Sequence, residues 1–215
     1  MMDIELLAAA HHEAGHVAVA HAIDCRVDGL EVFWSDLGRW FGRSPVGLSK
    51  DKLDGLQAMM MMDKLSSTGA KVALAGMLAQ AKFLALHQFG VGTRFDTKAD
   101  LSELEVFLRD NKRTETSPGS AVISFVHGES VEGRTLDLSG FVFSTEDSKA
   151  FNYYLARVES VTPKALVIET MRMINDDLHW MRIEALVDLL LKQVPTGDDK
   201  RRFLTADQLL SALSA

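Results

Sequence analysis

Cysteine is almost absent from this chain, because Cys25 is the only one among 215 residues. An internal disulfide is therefore excluded, and a reducing compartment is the expected setting. A lone cysteine of this kind is typical of a small buried apolar residue, so we expect Cys25 to pack in the core.

Positive charge is also sparse. The chain has 23 lysines and arginines against 30 aspartates and glutamates, which gives a net charge of −7. It contains no basic cluster that would follow a phosphate backbone. The composition therefore predicts no nucleic-acid partner as a primary role.

Two kinds of membrane signal are missing as well. No uninterrupted apolar run reaches the roughly 20 residues that a membrane-spanning helix needs. The first residues, Met1-Met2-Asp3-Ile4-Glu5, lack the basic segment that opens a signal peptide. We therefore predict a cytoplasmic protein with no membrane span.

Most of the secondary-structure patterns in the sequence indicate helices. Apolar residues make up 47% of the chain, enough for the core of one large domain. Asp3 is a suitable N-cap for a helix over residues 3–22, and an Ala-rich helix over residues 68–89 ends before Gly90. Thr162-Pro163 and Thr205-Ala-Asp-Gln208 predict further helices in the last third.

Strand signals are confined to shorter segments. Residues 27–34 are typical of a strand, and residues 45–49 are a candidate neighbour. The glycines and proline between them predict a loop that carries Arg39, Trp40 and Phe41. Together with the helices, these segments predict a mainly α fold with a small β-sheet, in the α+β class.

The most informative stretch is His12-Glu13-Ala14-Gly15-His16, which contains H-E-x-x-H. Residues four apart lie on one helical face, so His12 and His16 can bind the same metal ion. Glu13 is then placed to take a proton from a metal-bound water. With this chain's His and Glu content, such a match arises by chance roughly once in a hundred sequences.

The surroundings of the motif favour a metal site over an ordinary core helix. The two histidines and Glu13 interrupt a run that is otherwise almost wholly apolar, from residue 6 to 23. Burying three such groups without a partner is costly, and a metal ion supplies the partner. Gly15 costs about 1 kcal/mol against alanine in a helix, so we expect another backbone to approach closely there.

A catalytic zinc site needs a third protein ligand and an open position. The metzincin class is excluded, because that pattern requires glycine and histidine where this chain has Val19 and Ala22. The residue types that bind zinc leave several candidates open: Asp100, Asp96, Glu103, Glu31, His87, His127 and His179.

Three segments resemble the peptidase domain of FtsH-type zinc metalloproteases. His12-Glu13-Ala14-Gly15-His16 matches that family's H-E-A-G-H. Residues 75–80, Ala-Gly-Met-Leu-Ala-Gln, lie where the family has a G-G-R-A-A-E helix, although Met77 and Gln80 depart from it. Thr97-Lys98-Ala99-Asp100-Leu101 is similar to the T-G-A-x-N-D-L segment, whose aspartate is the family's third zinc ligand.

The resemblance implies a zincin-like helical peptidase domain with a C-terminal helical bundle. By this match Asp100 completes the zinc site, although with Glu103 it also spells a helix cap. The whole chain is then a single FtsH-like peptidase domain. Residues 1–112 form its metal-binding part with the small sheet, residues 113–143 a linker or irregular segment, and residues 144–215 the C-terminal helices.

One departure from the family is large. FtsH-type proteins join their peptidase to an ATPase and membrane anchors, but this chain has no G-x-x-x-x-G-K-[ST] loop. We therefore expect a free-standing peptidase domain that acts on peptides or unfolded polypeptides. A separate ATPase or a homo-oligomer is a candidate partner for substrate delivery.

The predicted function is a zinc-dependent endopeptidase with Glu13 as the general base. A strand edge beside the zinc helix is a candidate site for an extended peptide. Two alternatives stay open. The first is an inactive zinc-binding adaptor or regulator, and the second is a short regulatory peptidase of the type that cleaves phage repressors.

Overall fold

The computed structural model describes residues 3–49, 55–109, 122–127, 133–137 and 145–214. The helices are α1 (Ile4–Ala22), α2 (Gly55–Met60), α3 (Met62–Phe89), α4 (Ser102–Arg109), α5 (Thr145–Leu155), α6 (Pro163–Asn175), α7 (Asp177–Leu191) and α8 (Ala206–Leu213). The strands are β1 (Arg26–Val27), β2 (Gly29–Trp34), β3 (Trp40–Arg43), β4 (Val46–Gly47), β5 (Thr93–Phe95), β6 (Val122–His127), β7 (Arg134–Asp137) and β8 (Arg202–Thr205). The mixed α+β class is confirmed.

Helix α1 begins where its cap predicts. Asp3 accepts a hydrogen bond from the backbone N–H of Glu5 at 3.0 Å, which satisfies one of the free donors of the first turn. The helix then runs through the centre of the molecule, and its residues 10–20 are all buried. Cys25, just beyond its end, is 1% exposed, so the prediction that it packs in the core is confirmed.

Helix α3 is the longest helix among the described residues and packs along α1. It ends at Gly90, whose φ of +96° lies in the region that glycine adopts most readily, as the sequence predicts. By length and composition alone it could cross a membrane. However, 72% of its apolar window is buried inside the protein, as in the core helix of a soluble domain.

A three-stranded antiparallel sheet, ordered β3-β2-β8, lies against α1. Strand β3 forms an edge of this sheet and contains Trp40 and Phe41, which the sequence analysis assigned to a loop. That assignment is wrong, because the segment folds back on β2 as a hairpin with Trp34 opposite Trp40. The expected neighbour at 45–49 contains β4, which pairs with β1 instead of β2.

The segment predicted to be a linker, residues 113–143, also contains strands. Strands β6 and β7 lie within it and pair with β5 in a second antiparallel sheet, ordered β5-β6-β7. Ile123 and Phe125 of β6 are fully buried, so this sheet contributes to the core. The rest of that segment lies outside the described residues.

The C-terminal helices do not form a bundle of their own. Helices α5 and α6 pack on α3, and α7 packs on α1. Strand β8 joins the N-terminal sheet, where Leu204 lies opposite Leu30 of β2. Both ends of the chain therefore share one hydrophobic core.

The contact between α1 and α3 is close enough to require Gly15. A Cβ atom at this position would lie 2.5 Å from the Ala79 Cβ and 2.7 Å from the Ala75 carbonyl oxygen, which are shorter than van der Waals contacts. The backbone approach that the sequence analysis expected at Gly15 is therefore present, and α3 supplies it.

Lys82 is a buried charged residue on the same helix, and it is 4% exposed. Its ammonium group donates a hydrogen bond to the Ile174 carbonyl at 2.8 Å, near the C-terminal end of α6, and lies 4.5 Å from the centre of the Trp180 ring. A cation at this end of a helix satisfies a free carbonyl and interacts favourably with the helix dipole. Lys82 thereby links α3 to α6.

The Gly15→Ala substitution tests the close packing of α1 on α3. Although alanine favours helices, we expect the free energy of unfolding to fall by about 1–3 kcal/mol, because the added methyl group overpacks the contact. The matched control is Gly55→Ala at the start of α2, where a Cβ would meet no atom within 4 Å. Urea denaturation measures both, and equal stability of the two variants would contradict the prediction.

Lys82→Met tests the buried lysine. Burial lowers the pKa of Lys82 to about 8, from 10.5. Between these values the unfolded chain holds a proton that the folded chain lacks, so Lys82 makes stability rise with pH. We expect the variant to lose this rise, at most about 1.4 kcal/mol per pH unit. Urea denaturation across this pH range measures it, with Lys64→Met, an exposed lysine on α3, as the control that keeps the wild-type slope.

Candidate metal centre

The three motif residues lie on α1 in the middle of the molecule. His12, Glu13 and His16 are between 6% and 8% exposed, although the types are polar. The two imidazoles are one helical turn apart, with ring centres 4.9 Å from each other. The structure therefore brings together the two histidines that the sequence predicts as ligands.

Each imidazole is oriented by a hydrogen bond through Nδ1, and α3 supplies both acceptors. His12 Nδ1–H donates to the Gln80 Oε1 atom at 3.1 Å, and His16 Nδ1–H donates to the Val72 carbonyl at 2.6 Å. The two Nε2 atoms consequently face each other at 3.2 Å. This is the arrangement by which metal-binding histidines usually fix their tautomer and ring direction.

Asp147 supplies the carboxylate beside the two rings. It lies in the first turn of α5, and its Oδ2 atom is 2.9 Å from His12 Nε2. Its Oδ1 atom is 3.4 Å from His16 Nε2. One ligand atom from each of the three residues lies within 4.8 Å of the others, so the group could hold a metal ion.

The electrostatics of this group favour a bound cation. Burial lowers the pKa of His16, but the charge and hydrogen bond of Asp147 outweigh burial and raise it to about 9. Burial raises the pKa of Asp147, but the neighbouring His16 and His12 hold it well below its ordinary value. Two Nε2 atoms and a buried carboxylate thus converge where positive charge is stabilised.

Gly76 of α3 leaves the space in which the rings meet. A Cβ atom at this position would lie 2.3 Å from His16 Nε2 and 2.6 Å from His12 Nε2. Any larger residue would displace the very atoms that converge on Asp147. The donor set, its orientation and this space together fit a metal ion.

Asp100, the predicted third ligand, does not lie in this group. Its side chain is exposed and accepts a hydrogen bond from the backbone N–H of Ser102 at 3.0 Å, just before α4. This contact lowers the pKa of Asp100, as expected of a helix cap. The structure therefore gives Asp100 the capping role, and Asp147 takes its place beside the histidines.

Several other candidates for the third ligand have different partners. Glu31 pairs with Arg43 and Arg201, and His179 lies 2.9 Å from Asp176. His127 contacts Thr93 at 3.3 Å between β6 and β5. None of these residues belongs to the metal-binding group found among the described residues.

Glu13 is held on the side of α1 that faces the sheet. Its Oε2 atom accepts a hydrogen bond from the Ser44 hydroxyl at 2.7 Å. The backbone of Gly42 in β3 lies so close that a Cβ there would be 2.2 Å from Glu13 Cγ. The edge strand and the residue that follows it therefore hold the Glu13 side chain in place.

One cleft of about 1030 Å³ is lined by the two histidines of the motif, by Glu13 and by Asp147. The segment from Arg39 to Leu48, which includes β3, lines this cleft together with residues of α1, α3 and α5. The cleft also has a largely apolar lining: Ile4, Ala8, Phe33, Trp40, Phe41, Val46, Leu48, Val72, Ala73, Leu84, Ala150 and Tyr154. The candidate metal centre is therefore open to a ligand of substantial size.

The role of Asp147 was missed because its signal in the sequence is the same as that of Asp100. Each aspartate stands at the start of a helix, where acidic residues commonly cap the backbone or favour the helix dipole. Only the path of α5 across α3, which brings its first turn to the histidines, separates the two residues.

Comparison of the chain with protein-family models, curated proteins and solved structures finds no match.

Metal titration of two aspartate variants tests the ligand assignment. We expect Asp147→Ala to weaken binding of a divalent metal ion at least about 100-fold, because one of three ligands is lost. Asp100→Ala should bind like the wild type, because its carboxylate only caps α4. Calorimetric titration with Zn²⁺ measures both, with His16→Ala as the positive control. A loss of binding in the Asp100 variant, with retention in the Asp147 variant, would reverse the assignment.

Proposed function

We propose that this protein is a zinc-dependent endopeptidase. The observation that carries the proposal is the convergence of His12 Nε2, His16 Nε2 and the Asp147 carboxylate in an open cleft that also contains Glu13. Metal ligands, a proton acceptor and room for a substrate are the parts that metal-assisted hydrolysis requires.

The donor set supports zinc as the metal. Two imidazole nitrogens and one carboxylate, with an open fourth position, are typical of catalytic zinc sites. The same donors also suit Fe²⁺ in oxygenases. Glu13, next to the ligand His12 on the same helix, favours hydrolysis, because H-E-x-x-H pairs the metal with a general base.

Zinc, when bound, supplies a Lewis acid that polarises a carbonyl and makes a water more acidic. The remaining steps belong to this chain's own residues. Glu13 accepts the proton of the attacking water and delivers it to the leaving amine. Gln80 and the Val72 carbonyl keep the imidazoles directed into the site.

The shape of the cleft supports a polypeptide substrate. Strand β3 is an edge strand of its sheet in the part of the chain that the structure describes, and it lines the cleft together with Glu13. An extended peptide can add to such an edge through backbone hydrogen bonds, with its scissile bond near the metal. Peptides and unfolded chains can adopt this extended form, whereas folded proteins need a partner, such as a separate ATPase, to unfold them.

The site favours this function over the non-enzymatic alternative. A structural zinc site has four protein ligands and no open position. The group found among the described residues has three ligands and faces a large cleft. The resemblance to FtsH-type peptidases now depends on residues 12–16 and the small residues of α3, since the segment around Asp100 provides no ligand. The phage-repressor type of peptidase therefore stays the second candidate of the same reaction class.

Glu13→Gln tests the proposed function. We expect cleavage of an unfolded protein such as casein to fall at least about 100-fold, because glutamine cannot accept the proton. Zinc affinity should stay within a few-fold of wild type, since Glu13 is not a ligand. The matched control is Glu103→Gln, an exposed glutamate of α4 that does not line the cleft, and it should cleave normally. Full activity of the Glu13 variant, or of protein treated with a chelator, would refute the proposal.

A further inference from the structure

The segment Gly42–Ser44 contacts the side chain of Glu13. Ser44 donates its hydroxyl hydrogen to Oε2, while the Gly42 backbone packs on the Glu13 Cγ atom. A Cβ at position 42 would also come within 2.7 Å of Oε1. The two contacts leave the Glu13 carboxylate little freedom to rotate.

This segment is itself fixed at both ends. Before it, the Trp40 indole N–H donates to the Asp3 carboxylate at 2.8 Å, which ties the start of β3 to the cap of α1. After it, the Pro45 carbonyl accepts from the backbone N–H of Asp28 at 3.0 Å, and β4 pairs with β1. The Ser44 hydroxyl is therefore presented to Glu13 by anchored backbone.

We propose that Ser44 is a positioning residue for Glu13, a role that rests on the proposed peptidase function. A carboxylate has two oxygen atoms, and only one of them takes the proton of the attacking water. The Ser44 hydroxyl engages Oε2 and so leaves Oε1 as the proton acceptor. A glutamate side chain has considerable rotamer freedom, and fixing it in advance lowers the barrier to the chemical step.

Gly42 is also needed for this placement of Glu13. Any side chain at this position would push Glu13 away from Ser44, since its first carbon atom would overlap the glutamate stem. The edge strand can therefore approach α1 only with glycine at this place. A bulky residue here should mimic the loss of the Ser44 hydroxyl.

Steady-state kinetics of three serine variants test the role. In the zinc-loaded protein we expect Ser44→Ala to lower kcat about 10- to 100-fold, the equivalent of one hydrogen bond to a charged group. KM and zinc affinity should stay within about two-fold, because the hydroxyl bonds Glu13 and is not a metal ligand. Ser44→Thr keeps the hydroxyl and should recover most of kcat. Ser35→Ala is the matched control, since the Ser35 hydroxyl donates to the Arg39 carbonyl in the β2–β3 turn.

A second readout does not depend on activity. In metal-free protein, Ser44→Ala should lower Tm when Glu13 is present and leave it unchanged in a Glu13→Ala background. This dependence would show that the hydroxyl acts on Glu13 and not on the sheet in general. Equal shifts in both backgrounds would overturn the proposal, as would an unchanged kcat in Ser44→Ala.

The failure of this proposal is distinct from a failure of the proposed function. If Glu13→Gln keeps full activity, the peptidase mechanism is wrong, whatever Ser44 does. If Glu13→Gln is inactive and Ser44→Ala cleaves like the wild type, the mechanism stands and the positioning role is overturned. A parallel loss of zinc affinity in Ser44→Ala would also overturn it, since the hydroxyl would then support the metal ligands.

Discussion

The close approach of α1 and α3 is the constraint on which the site depends. At Gly15 the two backbones are within contact distance, and at Gly76 the imidazole rings occupy the space that a side chain on α3 would need. With this separation, α3 reaches both Nδ1 atoms through Gln80 and Val72. If α1 and α3 were farther apart, these rings could rotate, and their Nε2 atoms would no longer point to one site.

The same helix pair explains why residues far apart in sequence complete the centre. Asp147 lies 135 positions after His12, yet α5 packs on α3 so that its first turn reaches the rings. On the other side of α1, β3 brings Ser44 to Glu13. Because β8 of the C-terminal part pairs with β2, the sheet that carries this hairpin is held by both ends of the chain.

Local signals predicted the parts of the fold that depend on neighbouring residues. The start of α1 at Asp3, the end of α3 at Gly90 and the pair His12 and His16 follow from capping and helical periodicity. Strand β3 was not predicted, because Gly42 and Pro45 in a short segment resemble a loop as much as a hairpin. Asp147 was not predicted either, since a carboxylate at a helix start gives no sign of what lies opposite it.

The proposed metal binding and the proposed proton transfer depend on different parts of the structure. The ligands depend on α3 and α5, through Gly76, Gln80 and the position of Asp147. Glu13 depends on the sheet, through Gly42 and Ser44. Helix α1 is common to both, because it carries the two histidines and Glu13. Under the proposed function, a change in the sheet would therefore alter proton transfer without altering the metal ligands. Such a variant would bind the metal ion but would not cleave its substrate.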